Sequence, residues 1–316
     1  MPRFDVTVVG ELNLDLVLYG LPQELEPERE LLAQGMALTL GSSSAIFAHN
    51  LSAMGSKVGF ISRIGSDPFG QIAMDRLRAG GVDVSKVRKV SGLTTTGLTV
   101  ILPRTCGRNI LTYPGTMNEM CIDDLDLNYL ADSKHFHLSS FFLHRALRAH
   151  IPELFRVMKQ KGLTTSLDTN DDPDDRWDSH LLEVLNYVDV FLPNDREAKK
   201  IARTEDLENA IFALSQRVPV LAVKLGAEGA RAVGPSGQVC CPALKVEAVD
   251  PVGAGDSFDA GFIHQYVRAR GLADCLAHGN TAGAFSTTRP GGTEAFRDRT
   301  NLERFFDQHG HKGRQQ

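Results

Sequence analysis

The feature that most constrains this chain of 316 residues is an alternation of short apolar runs with stretches of helical spacing. Buried strands are predicted at FDVTVVG, KVGFISRIG, HFHLSSFFL, LTTSLDTN, VDVFLPN and PVLAVKLG. Helices are predicted over residues 42–54, 67–81 and 146–162, each of which ends at or next to a glycine. Because parallel strands need crossover helices, the pattern predicts an α/β fold with a mostly parallel sheet flanked by helices.

Two segments do not follow this alternation, residues 11–40 and residues 92–113. The second is rich in threonine, valine, isoleucine and leucine around central turn residues, which predicts a β-hairpin. Together the two segments are predicted to form a small β lid over the carboxyl edge of the sheet, inserted in a single domain of residues 1–316. Since unpaired apolar strand edges are usually covered, the lid also predicts a homodimer formed through lid contacts.

Composition and charge argue against two classes of partner. The chain is 42% hydrophobic, yet no run reaches the roughly 18 apolar residues that a membrane span needs, so no membrane partner is expected. The N-terminus lacks the long apolar core of a secretory leader. The formal net charge is -5 without a basic block, so no nucleic-acid partner is expected.

The cysteines predict a reducing compartment, because their number is odd and none has C-x-x-C spacing. We therefore expect buried, reduced thiols in a cytoplasmic protein. The five residues are Cys106, Cys121, Cys240, Cys241 and Cys275. His309 and His311 stand two residues apart near the C-terminus without an evident third ligand, so they predict no metal site.

The most informative stretch is DPVGAGDSFDAGF, at residues 250–262. Gly253, Ala254 and Gly255 leave the backbone N–H groups open at the start of a predicted helix, and this arrangement binds anions. Asp256 follows at once, and a carboxylate beside an anion cradle suits phosphoryl transfer to a hydroxyl. The simpler alternative is an aspartate that caps a helix. The chain contains no G-x-x-x-x-G-K-[ST] motif, so it is not a P-loop protein.

This stretch resembles the C-terminal signature D-x-x-G-A-G-D-x-F of the ribokinase-like (PfkB) carbohydrate kinases. A second match, to the family's N-terminal signature, runs from Gly41 to Gly55 and continues through residues 64–70, IGSDPFG. The resemblance covers roughly Val6 to Phe306. It implies an ATP-dependent phosphotransferase that uses Mg²⁺ and acts on a hydroxyl of a small sugar-like substrate.

The resemblance also implies roles for individual residues. Asp256 corresponds to the general base, and Gly253, Ala254, Gly255 and Asp256 to the anion hole. The residues implied to bind the sugar are Asn13, Asp15, Gly41, Ser42, Asp168 and Asn170. Those implied on the ATP and Mg²⁺ side are Asn194, Glu197, Lys224, Gly226, Gly229 and Asn280. Asp250 and Val252, with the loop of residues 289–295, correspond to a site for a monovalent cation such as K⁺.

Several of these residues also have simpler explanations from their positions alone. Asn13 and Asp15 could form the turn at the start of a loop, and Asp168 and Asn170 could be the polar end of a strand. Asn194 and Glu197 have the spacing of a capping box, which could coexist with a role at the phosphates. His137, after a predicted strand, is expected to be structural.

The chain departs from the family pattern at three positions. Ser42 replaces the second glycine of a Gly-Gly pair, at a cost in conformational freedom. Ile46 stands where the family has a sugar-contacting asparagine, so either the substrate is less polar there, or His49 or Asn50 compensates, or the sugar assignment is partly wrong. Asp172 replaces an arginine in the motif D-x-N-x-R, which weakens the case for an acidic sugar.

Two other functions therefore stay open at the level of sequence. A nucleoside kinase of the same superfamily would keep the base and the anion hole, and Ile46 and Phe47 could form part of a wall beside the nucleobase. A non-catalytic sugar-binding regulator on the same scaffold would have no chemical need for Asp256.

Overall fold

The computed structural model describes residues 2–104, 107–177 and 179–309. Its strands are β1 (Phe4–Val9), β2 (Leu14–Tyr19), β3 (Gly35–Leu40), β4 (Val58–Gly65), β5 (Asp83–Val90), β6 (Leu98–Pro103), β7 (Arg108–Tyr113), β8 (Ser133–Leu138), β9 (Thr164–Leu167), β10 (Val190–Phe191), β11 (Val220–Lys224), β12 (Ala230–Gly234) and β13 (Gly237–Cys241). Its helices are α1 (Ser43–Ala53), α2 (Pro68–Ala79), α3 (Leu127–Ala131), α4 (Ile151–Gln160), α5 (Ser179–Leu185), α6 (Asp195–Ala202), α7 (Leu207–Ser215), α8 (Ala254–Tyr266), α9 (Leu272–Ser286) and α10 (Arg299–His309).

The larger of two sheets has the strand order β13-β12-β11-β10-β9-β8-β1-β4-β5. All its pairs from β11 to β5 are parallel, and only the pairs β11–β12 and β12–β13 are antiparallel. After β1, the chain forms β4 and then β5 on one side of β1. The later strands, from β8 onward, are added on the other side of β1. The carboxyl ends of β1 and β8 therefore form a topological switch point, where open α/β sheets bind ligands.

Two apolar cores cover the two faces of this sheet, as the alternation along β11 illustrates. Val220 and Ala222 pack into the core formed with α1, α2, α8 and α9, whereas Leu221 and Val223 pack into the core formed with α3 to α7. Helix α8 lies deep in the first core, and its residues 257–264 are all buried because α1 and α9 flank it. The predicted α/β architecture is confirmed.

The small sheet has the order β3-β2-β6-β7, with β2 and β6 parallel and the outer pairs antiparallel. It is formed from the two segments that break the alternation, and the hairpin predicted within residues 92–113 is confirmed as β6 and β7. Val17 of β2 and Ile101 of β6 pack against Val252, just ahead of α8. The small sheet is thus a lid beside the start of that helix.

Several predicted boundaries were too wide. Strand β8 ends at Leu138, and a 3-10 turn, Phe141–Leu143, follows where a continuous strand was predicted. Helix α4 begins at Ile151 rather than at residue 146, since Pro152 suits the first turn of a helix and no other position in it. The edge strand β5 was not predicted, because its polar outer residues hide the strand pattern.

The prediction of buried thiols is right for Cys275 and wrong for Cys240, which is exposed. Cys121 and Cys241 are partly buried, and these four described cysteines are free. Cys106 and His311 lie outside the described residues. The ring of His309 packs on Phe305 at 4.7 Å between centroids. Within the described part of the chain, helices long and apolar enough to cross a membrane are absent.

Candidate active site

The start of α8 has the geometry of an anion-binding site. Gly253 caps the helix in the left-handed conformation, with φ of 74°, and among the described side chains none caps the first turn. Its N–H groups therefore have no partner inside the helix. A Cβ at Gly253 would lie 2.5 Å from the Cα of Gly292, so only glycine fits. The predicted cradle is present as a local structure.

Asp256 occupies the first turn of this helix, where its carboxylate is half-buried. Burial and the nearby charge of Asp168 raise the pKa of Asp256 to about 6, although Lys224 and a hydrogen bond with Ser43 oppose the rise. A carboxylate whose pKa lies just below neutral pH is ionised there and still accepts a proton readily.

The first four residues predicted to bind sugar lie together. The N–H of Gly41 donates to the carbonyl of Asn13 at 3.1 Å, and the N–H of Asn13 donates to Oγ of Ser42 at 2.9 Å. A Cβ at Gly41 would overlap the Asp15 carboxylate, which explains the glycine. Ser42 has φ of 71°, a strained conformation for a residue that replaces glycine.

Asp15 is buried close enough to Asp256 for the two charges to interact. Burial, followed by repulsion from Asp256, raises the pKa of Asp15 to about 7. The carboxylates of Asp15 on β2 and Asp256 on α8 therefore lie near each other, and carboxylate oxygens are hydrogen-bond acceptors that suit hydroxyl groups.

The region around Ile46 differs from the expectation. Ile46 is only 2% exposed and packs against the backbones of Gly253 and Gly292. Asn50 donates to Oγ of Ser257 and to the carbonyl of Gly292, both at 2.9 Å, and accepts at Oδ1 from His49. The suggestion that His49 or Asn50 replaces the missing sugar contact is therefore wrong, because both are engaged within the fold.

The residues after β9 also have partners inside the protein. Asp168 accepts from Nζ of Lys224 at 2.9 Å, and Asn170, at φ of 52°, donates to Oγ of Ser140 at 3.1 Å. Asp172 accepts backbone N–H donors from residues 174, 176 and 177, so it fixes a turn. Asp168 was predicted on the sugar side, but the structure pairs its carboxylate with a lysine. Asn170 is linked through the hydroxyl of Ser140 to the carboxylate of Glu11.

One buried carboxylate of the site was missed by sequence reasoning. Glu11 follows β1 and accepts from Oγ of Ser44 at 2.8 Å and from Oγ of Ser140 at 2.7 Å. Nε2 of His144 lies 3.4 Å from Oε2 of Glu11. An acid directly after a buried strand was the available signal, and it marks the switch point between β1 and β8.

Asn194 and Glu197 form the capping box of α6 that their spacing predicts. Oδ1 of Asn194 accepts from the N–H of Glu197, and Glu197 accepts from the N–H of Asn194, each at 2.9 Å. Glu197 is buried, and burial followed by repulsion from Asp168 raises its pKa to about 7. The capping prediction is confirmed, and the carboxylate lies at the same sheet edge as Asp168.

The remaining residues predicted on the nucleotide side lie along one surface. Asn280 of α9 donates from Nδ2 to the carbonyls of Cys241 and Pro242, at 2.9 and 3.0 Å. A Cβ at Gly229 would overlap that same segment. Gly226 has φ of 58° in the turn after β11. Asn280 therefore holds the segment after β13 with its amide nitrogen.

Asp250 fastens the loop ahead of α8. Its Oδ1 accepts from the N–H of Val252, and its Oδ2 accepts from the N–H of Gly291, both at 2.9 Å. The hydroxyl of Tyr19, on the lid, donates to Oδ2 at 3.3 Å. Both carboxylate oxygens are thus engaged with donors, and the cation site at Asp250 stays a prediction. Val252 packs into the lid core.

His137 is structural, as predicted. It is buried within β8, hydrogen-bonds through its two ring nitrogens to Ser166 and Ser139, both at 2.7 Å, and stacks on Phe47 at 3.7 Å. Burial lowers its pKa well below the ordinary range, so the ring is neutral. Because Phe47 is fully buried against this ring, it forms no wall beside a nucleobase.

A parallel α/β sheet, a β lid and an anion cradle with an adjacent carboxylate define a phosphotransferase that acts on hydroxyl groups. Comparison with known proteins agrees: the model of the pfkB family of carbohydrate kinases matches residues 3–299. The chain belongs to this family, whose members transfer a phosphoryl group from ATP to a sugar.

Three similar proteins illustrate the range of the family. An ATP-dependent ribose-1-phosphate kinase of Halopiger xanaduensis is 28% identical, over 92% of this chain and 94% of its own length. A ribokinase of Haemophilus influenzae is 24% identical, over 96% and 99%. An E. coli protein with the provisional name ribokinase II, solved with ATP and Mg²⁺, has a TM-score of 0.80 at 26% identity, over 97% and 100%.

Proposed function

We propose that this carbohydrate kinase phosphorylates a hydroxyl of a neutral sugar, with Asp256 as the general base and the backbone of residues 253–256 as the anion hole. The observation that carries the proposal is the position of Asp256 in the first turn of α8, with a pKa of about 6, beside uncapped N–H groups. The sugar oxygen attacks the γ-phosphorus of ATP and the bond to ADP breaks. The hydroxyl proton passes to Asp256.

The polar groups around Asp256 support a neutral substrate. Asn13 and Asp15 supply an amide and a buried carboxylate that suit sugar hydroxyls, while Gly41 and Ser42 allow the substrate to approach the backbone. Glu11 adds another negative charge at the same edge. An acidic sugar would be repelled by these carboxylates, and the expected arginine is replaced by Asp172, which is engaged in a turn.

The ATP side of the site combines a carboxylate with open backbone. Glu197 is a buried acid at the carboxyl edge of the sheet, Gly229 and Asn280 border the segment after β13, and Gly226 lies in the turn after β11. Groups of three or more acidic, histidine or cysteine side chains that could hold a metal do not occur among the described residues. We propose that Mg²⁺ arrives with the phosphates of ATP and neutralises their charge. For K⁺, the proposed ligands are Asp250, the carbonyl of Val252 and the loop of residues 289–295.

The alternative of a nucleoside kinase gains no support from the pocket. Ile46 packs on the glycines of the anion hole and Phe47 on His137, so neither side chain faces a substrate. A non-catalytic regulator would not require a carboxylate with a pKa near 6 at the anion hole. The neutral-sugar kinase therefore accounts for more of the site than either alternative.

The test is release of ADP from MgATP, with KCl, across ketoses, aldoses, sugar acids, sugar phosphates and nucleosides. We expect one neutral sugar to raise the rate far above background in the native protein and not in Asp256→Asn. Stimulation by nucleosides alone would favour the nucleoside kinase. ATP binding without stimulation by any acceptor would favour the regulator. A sugar acid or sugar phosphate as the best acceptor would refute the charge argument.

We also propose that the lid forms a homodimer through its outer face. The cross-strand register places Met36, Leu38, Leu16, Val100 and Leu111 on the face opposite Asp15. Met36 and Leu111 are 69% and 57% exposed, and Tyr113 on the same face is 52% exposed. A continuous apolar sheet face of this kind is usually covered by a partner, and a second copy of the lid offers a matching surface.

Light scattering on the native protein and on Leu111→Asp tests this proposal, with Ile110→Asp, on the inner face, as the matched control. We expect a dimer that dissociates only in Leu111→Asp. A monomeric native protein would refute it. Because the substrate is ATP, we further propose a cytoplasmic location, without nucleic-acid or membrane partners.

A further inference from the structure

A buried cluster of charges lies directly beneath the anion hole. Nζ of Lys224, at the end of β11, is 2.9 Å from Oδ2 of Asp168 and 3.0 and 3.2 Å from the two carboxylate oxygens of Asp259. The lysine side chain is 11% exposed and each carboxylate is 1% exposed. Burying three such groups together is costly, and an apolar trio of similar volume would hold the fold at least as well.

The position of the cluster points to its use. Nζ of Lys224 lies 3.7 Å from the place that a Cβ of Gly255 would occupy, so the ammonium contacts the cradle where glycine has no side chain. Asp259 stands one helical turn further along α8, on the same side as Gly255. The backbone N–H of Lys224 donates to the carbonyl of Pro193 at 3.0 Å, which fixes the start of the side chain.

We propose that Lys224 is a positioning residue whose ammonium, fixed by Asp168 and Asp259, supplies the anion hole with the positive potential that the transferred phosphoryl group requires. The inference rests on the proposed function, because it assumes that a phosphoryl group occupies the cradle. A fixed charge beside a water-poor site stabilises developing negative charge without reorganising during the reaction.

The charges that face Asp256 show why such a cation is needed. Asp15 on β2, Glu11 after β1 and Asp168 after β9 all oppose negative charge at this place, and Lys224 on β11 counteracts them. Without the ammonium, the phosphoryl group and an ionised Asp256 would face three further carboxylates. Arg108 of the lid also acts on Asp15, but from an exposed position.

The carboxylates of Asp168 and Asp259 stabilise the charged form of Lys224. Burial alone would lower the pKa of Lys224, but Asp168 and Asp259 outweigh it and hold that pKa above its ordinary value. Glu197 acts in the same direction, and the neighbouring ring of His137 is neutral. Burial raises the pKa of Asp259 and the ammonium of Lys224 opposes that rise, so the lysine and this carboxylate each favour the charged form of the other.

A purely structural ion pair would make a different prediction, and Lys159 provides the matched control. Its Nζ is 2.7 and 2.8 Å from the carboxylate oxygens of Asp189, which lies just before β10, at the opposite edge of the sheet. Lys224→Gln and Lys159→Gln therefore each remove a lysine that bridges to carboxylates. Lys224→Met is the second variant, in case Lys224→Gln does not fold. It removes the same charge and, unlike glutamine, has no N–H donor that requires a partner.

Three measurements separate the two roles, with the sugar acceptor that the ADP-release panel identifies. In Lys224→Gln we expect the acid limb of kcat/KM to move up by about one pH unit. Affinity for MgADP with aluminium fluoride, which mimics the transferring phosphoryl group, should fall by about tenfold or more. Affinity for MgADP alone should change less than about threefold, because the ammonium lies at the phosphoryl position. Lys159→Gln should change none of the three.

A folded Lys224→Gln or Lys224→Met with the native acid limb and native affinity for the fluoride complex would overturn the inference. So would an equal loss of affinity for MgADP and for its fluoride complex, since that means uniform nucleotide binding. If the native protein transfers phosphate to no acceptor, the proposed function itself fails, and that outcome is visible before any variant is made.

Discussion

Asp15→Asn gives the sharpest test of the site, because its effect on stability needs no knowledge of the substrate. Asp15 is 5% exposed, and burial together with Asp256 raises its pKa from 3.8 to about 7. A carboxyl whose pKa is raised in the folded state binds its proton more tightly there than in the unfolded chain. Folding stability therefore declines as pH rises through the window from about 4 to about 7.

The size of the effect follows from the shift. A rise of this size means that ionising Asp15 in the folded protein lowers the free energy of unfolding by about 4 kcal/mol. Of this loss, up to about 2–3 kcal/mol develops between pH 5 and pH 8. Asparagine has nearly the same shape and carries no charge, so it fits the space beside Gly41. We expect the change in the free energy of unfolding caused by Asp15→Asn to be more favourable at pH 8 than at pH 5, by about 1–3 kcal/mol.

The assay is urea unfolding at the two pH values, followed by the fluorescence of Trp177, the single tryptophan, which is buried. Asp67→Asn is the matched control. Burial would raise the pKa of Asp67, but hydrogen bonds from Thr96 and Gly70 outweigh it and lower that pKa. Because Asp67 is ionised at both pH values, Asp67→Asn should lower the free energy of unfolding by a similar amount at pH 5 and at pH 8. The same change in stability at pH 5 and pH 8 for Asp15→Asn would refute the reasoning.

Three further predictions concern catalysis and the cradle. Asp256→Asn should lower kcat by roughly 10²- to 10⁴-fold with little effect on ATP binding, and steady-state kinetics with direct ATP titration check both. Since Asp256 must be ionised, kcat/KM should fall about tenfold per pH unit below about 6, and a profile flat to pH 5 would contradict this. Gly253→Ala should cost at least about 1–2 kcal/mol, because φ is 74° and the Cβ would meet Gly292. Gly255→Ala, whose Cβ would have ordinary contacts, should leave the melting temperature nearly unchanged.

Local sequence was sufficient where a single element decides the outcome. The glycines and aspartate of residues 253–256 form the cradle because they start a helix, and Asn194 and Glu197 cap α6 because they are three residues apart. Such features depend on backbone geometry within one turn, so their residues predict them directly.

Contacts between distant segments could not be predicted in the same way. Ile46 sits in α1, and nothing in its neighbourhood along the chain indicates that it packs on Gly253 and Gly292. The partners of Asn50 lie more than 200 residues away, so its role in fastening α8 became visible only in the structure. The same holds for Asp250, whose carboxylate accepts from the N–H of Gly291, a residue far along the chain.

By itself, the sequence determined the class of fold, the lid segments, the anion cradle and the family of this protein. Each is written in periodicity or in a short motif along the chain, although the strands of the lid, such as β2 and β6, pair between segments far apart in sequence. The tertiary structure decided which charges meet: Lys224 with Asp168 and Asp259, and Asp15 with Asp256. Lys224 meets Asp168 because the parallel strands β11 and β9 bring their carboxyl ends to one edge of the large sheet. Helix α8 and the lid strand β2 bring Asp256, Asp259 and Asp15 to the same place, where burial multiplies the effect of each charge on its neighbours.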